Sequence, residues 1–350
     1  MSTPILLEDP AIPFGSPVCV TGVNGLLGSH IADQVLLAGY NVRGTVRNLD
    51  KNAWMNSFFA KRYAHSNVRF ELVAIPDMSI DGCFDEAVRD CVGVIHTTSS
   101  LELQATKPEP TITDSVKTVM TCLHAAAQEL SVKRFVLTSS AWTVAPPRPD
   151  VKFVVSPEDW NEQAVKDAYA KGTPASNSLS IYMAGKLLGE KAAWQFVREQ
   201  KPHFVFNTIH PDTVFGRVLS PENQGIPSTA GFVKMLFEGK GLDMVQWVAP
   251  QYHCDTEDVG RLHVAALIHP GCENERLLGH ADRWNWNDML AMFRRWYPDN
   301  TFPQDLHLGC DISTVEDAKS RELLKDVYGQ ERWIGLEASV RQNVDSFLRS

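Results

Sequence analysis

The stretch Pro17-Val18-Cys19-Val20-Thr21-Gly22-Val23-Asn24-Gly25-Leu26-Leu27-Gly28 decides how the rest of the chain is read. Residues 17–20 read as a short apolar strand, and residues 26–38 as an amphipathic helix stopped at Gly39. Between them lie three glycines at G-x-x-G-x-x-G spacing. Glycine lets the chain turn tightly and lets backbone amides approach a pyrophosphate, whose charge the helix N-terminus favours. The spacing is one residue longer than the dinucleotide fingerprint G-x-G-x-x-G, and its place between a strand and a helix gives it weight. Gly22, Asn24, Gly25, Leu26 and Gly28 are therefore candidate cofactor-binding residues.

Working outward, short apolar runs alternate with helical patterns, as parallel βαβ units require. Strands are expected over residues 42–46, 68–73, 92–96, 135–138 and 205–209, and helices over 84–90, 113–129 and 182–198. This is an α/β chain with the doubly wound parallel sheet of an NAD(P)-binding Rossmann domain. After Gly216 the rhythm stops. Residues 1–216, with a return of 255–282, are expected to form the cofactor-binding domain. Residues 217–254 and 283–350, which include a helix over 286–296, are expected to form a smaller, mixed substrate-binding lobe. Two loops stand out, residues 145–150 (Ala-Pro-Pro-Arg-Pro-Asp) and residues 172–178, rich in Gly, Pro, Ser and Asn.

The 350 residues carry a formal charge of −9, which argues against nucleic acid, because phosphate binding wants surplus Lys and Arg. The N-terminal residues lack the basic-then-apolar pattern of a secretory signal, and no apolar run approaches the ~18 residues of a membrane span. The seven cysteines are scattered and form no C-x-x-C pair, and His210, His253 and Cys254 lack metal-ligand spacing, so no disulfide and no metal are assigned. A cytoplasmic monomer or homodimer with reduced thiols is expected.

The second strand decides which nicotinamide cofactor binds. An NAD site wants an acid at that strand end for the ribose 2′-hydroxyl. Here Asn41-Val42-Arg43-Gly44-Thr45-Val46-Arg47-Asn48 has none, and Arg47 is placed to pair with a 2′-phosphate, with Lys51 assisting. The alternative for Arg47 is an ordinary surface arginine; NADPH/NADP+ is the expected cofactor. Asp77, beside Met78 just past the third strand, is either an acceptor for the adenine amino group or a turn residue.

Tyr182-Met183-Ala184-Gly185-Lys186 places a phenol and an ammonium at i and i+4, on one helix face. A free tyrosine, with a pKa of about 10, is a poor proton carrier at neutral pH, and a nearby ammonium lowers it toward usefulness. Such pairs also decorate solvated helices, so the pair gains meaning from what precedes it. Phe135-Val136-Leu137-Thr138-Ser139-Ser140 is a strand ending in two hydroxyls, and ligands of open α/β sheets sit at the carboxyl ends of strands. Ser140 is the candidate partner of a substrate carbonyl, with Ser139 as the fallback.

Taken in chain order, the glycine turn, the Ser-Ser strand end and Tyr-x-x-x-Lys resemble an extended short-chain dehydrogenase/reductase. The chain is most similar to the fungal NADPH-dependent aldehyde/carbonyl reductases, and next to plant dihydroflavonol reductases. The likeness runs from Val18 to Pro298 and includes residues 42–47, 132–140, Ala192-Ala193-Trp194 and Lys201-Pro202-His203-Phe204. It implies that Ser140 orients the substrate oxygen, that Tyr182 donates the proton, and that Lys186 holds the nicotinamide ribose and lowers the phenol's pKa. It also implies that Pro211, Thr213 and Val214 flank the nicotinamide. Two departures stand out. The family's His-x-Ala is here His96-Thr97-Thr98, which puts Thr97 and a polar Thr98 beside the cofactor channel. Its Gly-Thr in the following helix is here Lys117-Thr118-Val119-Met120, which leaves the helix packing open.

On the substrate side, Met244, Val245, Gln246, Trp247 and Tyr252 either face a medium-sized hydrophobic carbonyl compound or form lobe core. Two other classes share the fold. A nucleotide-sugar isomerase, epimerase or dehydratase would usually recycle NAD, against which the missing acid speaks. A non-catalytic NADP sensor would typically lack the Tyr-x-x-x-Lys that this chain keeps.

Overall fold

The computed structural model describes residues 5–98, 107–170 and 176–349. Its strands in chain order are β1 (Pro17–Val20), β2 (Asn41–Val46), β3 (Phe70–Ala74), β4 (Gly93–His96), β5 (Arg134–Thr138) and β6 (Val154–Val155), followed by β7 (Val205–Pro211), β8 (Thr213–Phe215), β9 (Gln251–Asp255), β10 (Arg276–Gly279), β11 (Arg283–Trp284) and β12 (Thr314–Val315). Seven of them form one sheet in the order β10-β7-β5-β4-β1-β2-β3, every neighbouring pair parallel. The order reverses at β1, where successive strands leave in opposite directions and open a crevice at their carboxyl ends.

A parallel sheet buries both faces, and β1 shows how the sequence does it. Val18 and Val20 point to one side, into a core shared with Ile31 and Val35 of the Leu26–Leu37 helix and Leu262 of the Thr256–Ile268 helix. Cys19 points to the other, among Val94, Cys122 and Phe135. The helix over Thr256–Ile268 comes close enough to the first helix that a Cβ on Gly260 would sit 3.0 Å from the His30 carbonyl oxygen. Arg134, buried at the start of β5, holds the end of that later helix by donating to the carbonyls of Cys272 (2.8 Å) and His269 (3.0 Å).

β8, β9 and β11 form a second, three-stranded sheet beside an aromatic core of Phe215, Trp284, Trp286 and Phe293. The Leu336–Leu348 helix closes this core with Val340, Val344 and Phe347. Helix Trp286–Trp296 begins on a capping box in which Asn285 and Asp288 satisfy each other's backbone amides.

Several boundaries differ from expectation. The helix bearing Tyr182 begins at Ser176, not at 182, so part of the expected 172–178 loop is helical; residues 172–175 lie outside the described residues. The helix expected from 113 begins at Pro108, because proline suits a first helical turn. Among the described residues, no helix is long and apolar enough to cross a membrane.

Candidate active site

The glycine turn sits at the mouth of the crevice. Gly22 takes φ +66°, a left-handed conformation that side chains rarely adopt, and a Cβ there would also strike the methyl group of Thr98. A Cβ on Gly28 would strike the Gly22 carbonyl, so the first helix turn lies directly on the loop. Gly25 caps that helix from an extended conformation with no side-chain hydrogen bond, leaving the first amides available to an anion. Leu26 is buried against Val218 and Ala230. The loop is braced from afar by Gln224, whose side-chain amide donates to the Asn24 carbonyl (3.1 Å) and to Ser29 Oγ (3.2 Å).

Thr97 and Thr98 turn out to tie β4 to β1. Thr97 Oγ1 donates to the Thr21 carbonyl (2.6 Å), and the Thr98 hydroxyl lies 3.0 Å from Thr21 Oγ1. Lys117 is exposed, while Thr118 turns its hydroxyl to the Asp114 carbonyl at 2.8 Å. The close helix approach that a glycine would permit there comes from the other helix, where Gly189 faces Val119.

Arg47 stands exposed just past β2, its side chain in no hydrogen bond or ion pair among the described residues. Lys51 is exposed one turn on. A guanidinium left free beside a glycine cradle, with no acid at the strand end, fits a 2′-phosphorylated dinucleotide. Asp77 makes a turn contact with one carboxylate oxygen, its Oδ1 accepting from the Ser79 amide (2.8 Å) and hydroxyl (2.7 Å). Met78 is buried and gives its carbonyl to Thr121.

Ser140, Tyr182 and Lys186 meet at the carboxyl end of β5. Ser140 caps the short Ala141–Val144 helix by accepting from the Trp142 amide (3.3 Å), and its side chain lies close enough to the Tyr182 hydroxyl to favour the phenolate. Ser139 instead turns inward to Glu190, so it is Ser140 that faces the phenol. Trp142 packs edge-on to Tyr182 with centroids 5.9 Å apart. Lys186 Nζ donates to the Thr138 carbonyl (2.8 Å), and Thr138 Oγ1 in turn meets His263 Nε2 (2.8 Å). Burial pushes the ammonium of Lys186 down to about 8, against the support of Glu190. The expectation for the phenol is corrected. Burial raises the Tyr182 pKa, and the Ser140 side chain only partly opposes it. A phenol that stays protonated is a proton donor.

Pro211 ends β7 opposite Gly279, and Thr213 and Val214 are buried in β8. The intervening Asp212 lines a cleft whose walls include Trp142, Phe153, Gln251, Tyr252 and His280. Of the expected substrate-side residues only Tyr252 lines it. Val245 is fully buried in the aromatic core, Gln246 is exposed, Trp247 is 53% exposed, and the Met244 side chain lies outside the described residues. The sequence reading missed Trp142 and Gln251, although Trp142 stands two residues past Ser140; the Trp142 indole donates to Gln251 Oε1 at 2.6 Å.

The chain belongs to the NAD dependent epimerase/dehydratase family, whose model matches residues 18–274. It is 37% identical over 345 residues to aldehyde reductase 2 of Sporidiobolus salmonicolor, covering 97% of this chain and 98% of that one. It is 35% identical to the ketoreductase adrE of Penicillium rubens, covering 95% and 97%. Among solved structures, Gre2 from Candida albicans in complex with NADPH superposes with a TM-score of 0.80 at 24% identity, covering 96% and 99%. The likeness to an extended short-chain reductase read from the sequence, and its Rossmann-like sheet, are thereby met.

Proposed function

We propose that this chain is an NADPH-dependent carbonyl reductase that converts an aldehyde or ketone to its alcohol. The observation that carries the reading is the meeting of Ser140, Tyr182 and Lys186 at the carboxyl end of β5, where Lys186 Nζ donates to the Thr138 carbonyl (2.8 Å) and Trp142 packs edge-on to Tyr182 with centroids 5.9 Å apart. The aldehyde reductase and ketoreductase names of its relatives point the same way.

Gly22, Asn24, Gly25, Leu26 and Gly28 cradle the pyrophosphate, Arg47 and Lys51 hold the 2′-phosphate, and Pro211, Thr213 and Val214 flank the nicotinamide. Bound there, the reduced nicotinamide supplies the hydride. Ser140 orients the substrate carbonyl, Tyr182 gives its proton to the oxygen as charge develops on it, and Lys186 stabilises the phenolate left behind. The substrate's body lies in the cleft between Trp142 and Tyr252, which suits an uncharged, partly aromatic carbonyl compound. Residues 1–216 with 255–282 carry the cofactor, and residues 217–254 with 283–350 the substrate. The reduced state of the seven unpaired cysteines is consistent with a cytoplasmic location.

The test is steady-state turnover with NADPH and with NADH over aldehydes, β-ketoesters and aryl ketones, for the wild type and Tyr182→Phe. The expected result is NADPH-selective turnover, with kcat lowered about 10²–10⁴-fold in the variant. A loss below about tenfold would remove Tyr182 from the assigned role.

A further inference from the structure

One turn past Lys186, on the same helix, Glu190 is buried with 1% of its surface exposed. Its two oxygens collect donors from four separate segments. Oε2 accepts from Ser139 Oγ (2.6 Å) and lies 2.8 Å from Thr143 Oγ1. Oε1 accepts from Arg276 Nε (2.8 Å) and Trp194 Nε1 (3.3 Å) and faces His210 Nε2 at 3.3 Å. Ser139 and Thr143 bracket Ser140 in sequence, and the His210 ring also reaches the Ser140 carbonyl with Nδ1 at 3.2 Å. The side chains that flank Ser140 and the imidazole that reaches its carbonyl thus all meet one carboxylate.

We propose that Glu190 is a positioning residue for the reduction: it fixes the backbone on both sides of Ser140 and supplies the negative charge that keeps Lys186 an ammonium. The inference rests on the reductase reading above.

An ionised carboxylate is the side chain that can accept on both oxygens at once, whereas an amide in its place would turn a donor toward one set of donors. The charge matters because, among the described residues, Glu190 is the one anion that supports the Lys186 ammonium. The groups facing the lysine are Tyr182 and Glu190 from its own helix, His96 from β4, the Thr138 carbonyl from β5 and His263 from the Thr256–Ile268 helix. Burial keeps both imidazoles neutral, with pKa values pushed down to about 3 and about 4. Lys186 and Glu190 also share the wall of a small cavity with Thr98, Ser115, Val119, Leu137, Thr138 and Ser139. On Glu190's far side, His210 from β7 and Arg276 from β10 hold its own pKa well below the carboxylate range.

A simple structural ion pair between Glu190 and Arg276 would account for stability alone, and a titration separates the two roles. The wild type is compared with Glu190→Gln and with the double variant Ser139→Ala/Thr143→Val, which keeps the charge and removes the two hydroxyls. Three quantities are read: kcat and the NADPH KM, the alkaline limb of the kcat profile, and the titration midpoint of Lys186 from the ¹³C signal of its ε-carbon. In Glu190→Gln, kcat should fall at least about tenfold, the NADPH KM should stay within about twofold, and the alkaline limb and lysine midpoint should move down together by about half a unit or more. In the double variant kcat should fall while the lysine midpoint holds. Wild-type kcat in either variant, or a lysine midpoint unmoved in Glu190→Gln, overturns the proposal. A wild type that turns over no carbonyl compound while the midpoint still shifts overturns the reductase reading and leaves the charge role standing.

Discussion

Lys186 Nζ donates to the main-chain carbonyl of Thr138 at 2.8 Å, so the catalytic helix and the end of β5 meet through the lysine as well as through the Tyr182–Ser140 contact. This contact fixes the ammonium where it can act on the phenolate, while burial brings its pKa down to about 8. Turnover should therefore decline on the alkaline side with a midpoint near 8, as the lysine loses its proton. Lys186→Met should abolish that limb and lower kcat by about two orders of magnitude or more. A pH–rate profile of both proteins checks this, and an unchanged limb in the variant would assign it elsewhere.

Arg47 is the free guanidinium beside the cradle. Arg47→Asp should raise the NADPH KM by about tenfold or more and leave the NADH value within about twofold, because only one cofactor carries the 2′-phosphate. Equal effects on both would refute the pairing.

Gly28 lies on the Gly22 carbonyl, with no room for a Cβ. Gly28→Ala forces the first helix off the loop, and overpacking of this kind costs about 1–3 kcal/mol. A lowered Tm and an NADPH affinity weakened beyond about tenfold are expected, by thermal unfolding and fluorescence titration. Tight cofactor binding by the variant would mean that the loop tolerates the shift.

Asp212 lies 3.4 Å from His280, and the two settle into neutral forms: burial raises the carboxyl to about 8 and lowers the imidazole to about 3. A carboxyl whose folded pKa exceeds its unfolded value stabilises at low pH, and that stability is lost as pH rises through the folded value. Asp255, raised to about 7, acts in the same direction. The buried histidines act oppositely, since their lowered pKa values cost stability only as pH falls below about 6.5. Between about pH 6.5 and 8 the carboxyls act unopposed by the histidines, and Tm should fall by a few degrees. Asp212→Asn should flatten most of that slope; an unaltered slope would place its source elsewhere.

The glycine turn and the helix carrying Tyr182 and Lys186 were legible because their physics is local. The glycine turn must follow a strand, and a phenol and an ammonium four residues apart must share a helix face, whatever surrounds them. The cleft was not legible. Trp142, Gln251 and His280 come together from the end of β5, from β9 and from just past β10, and no spacing in the sequence records that meeting. Val245 and Trp247 stayed ambiguous for a related reason: apolar character alone does not say whether a side chain fills a core, as Val245 does, or stands in solvent, as Trp247 does. The phenol's pKa was misjudged because the spacing of Tyr182 and Lys186 says nothing about how deeply the phenol is buried, and burial raises its pKa.

Gln224 braces the Asn24 carbonyl from two hundred positions away, and Gly260 seats a later helix on the first one. The loop at the very start of the chain is therefore among the last parts of the molecule to become competent. A nascent chain that stops short of Gly260 holds the cradle's residues without the helix that packs on the cradle's own helix.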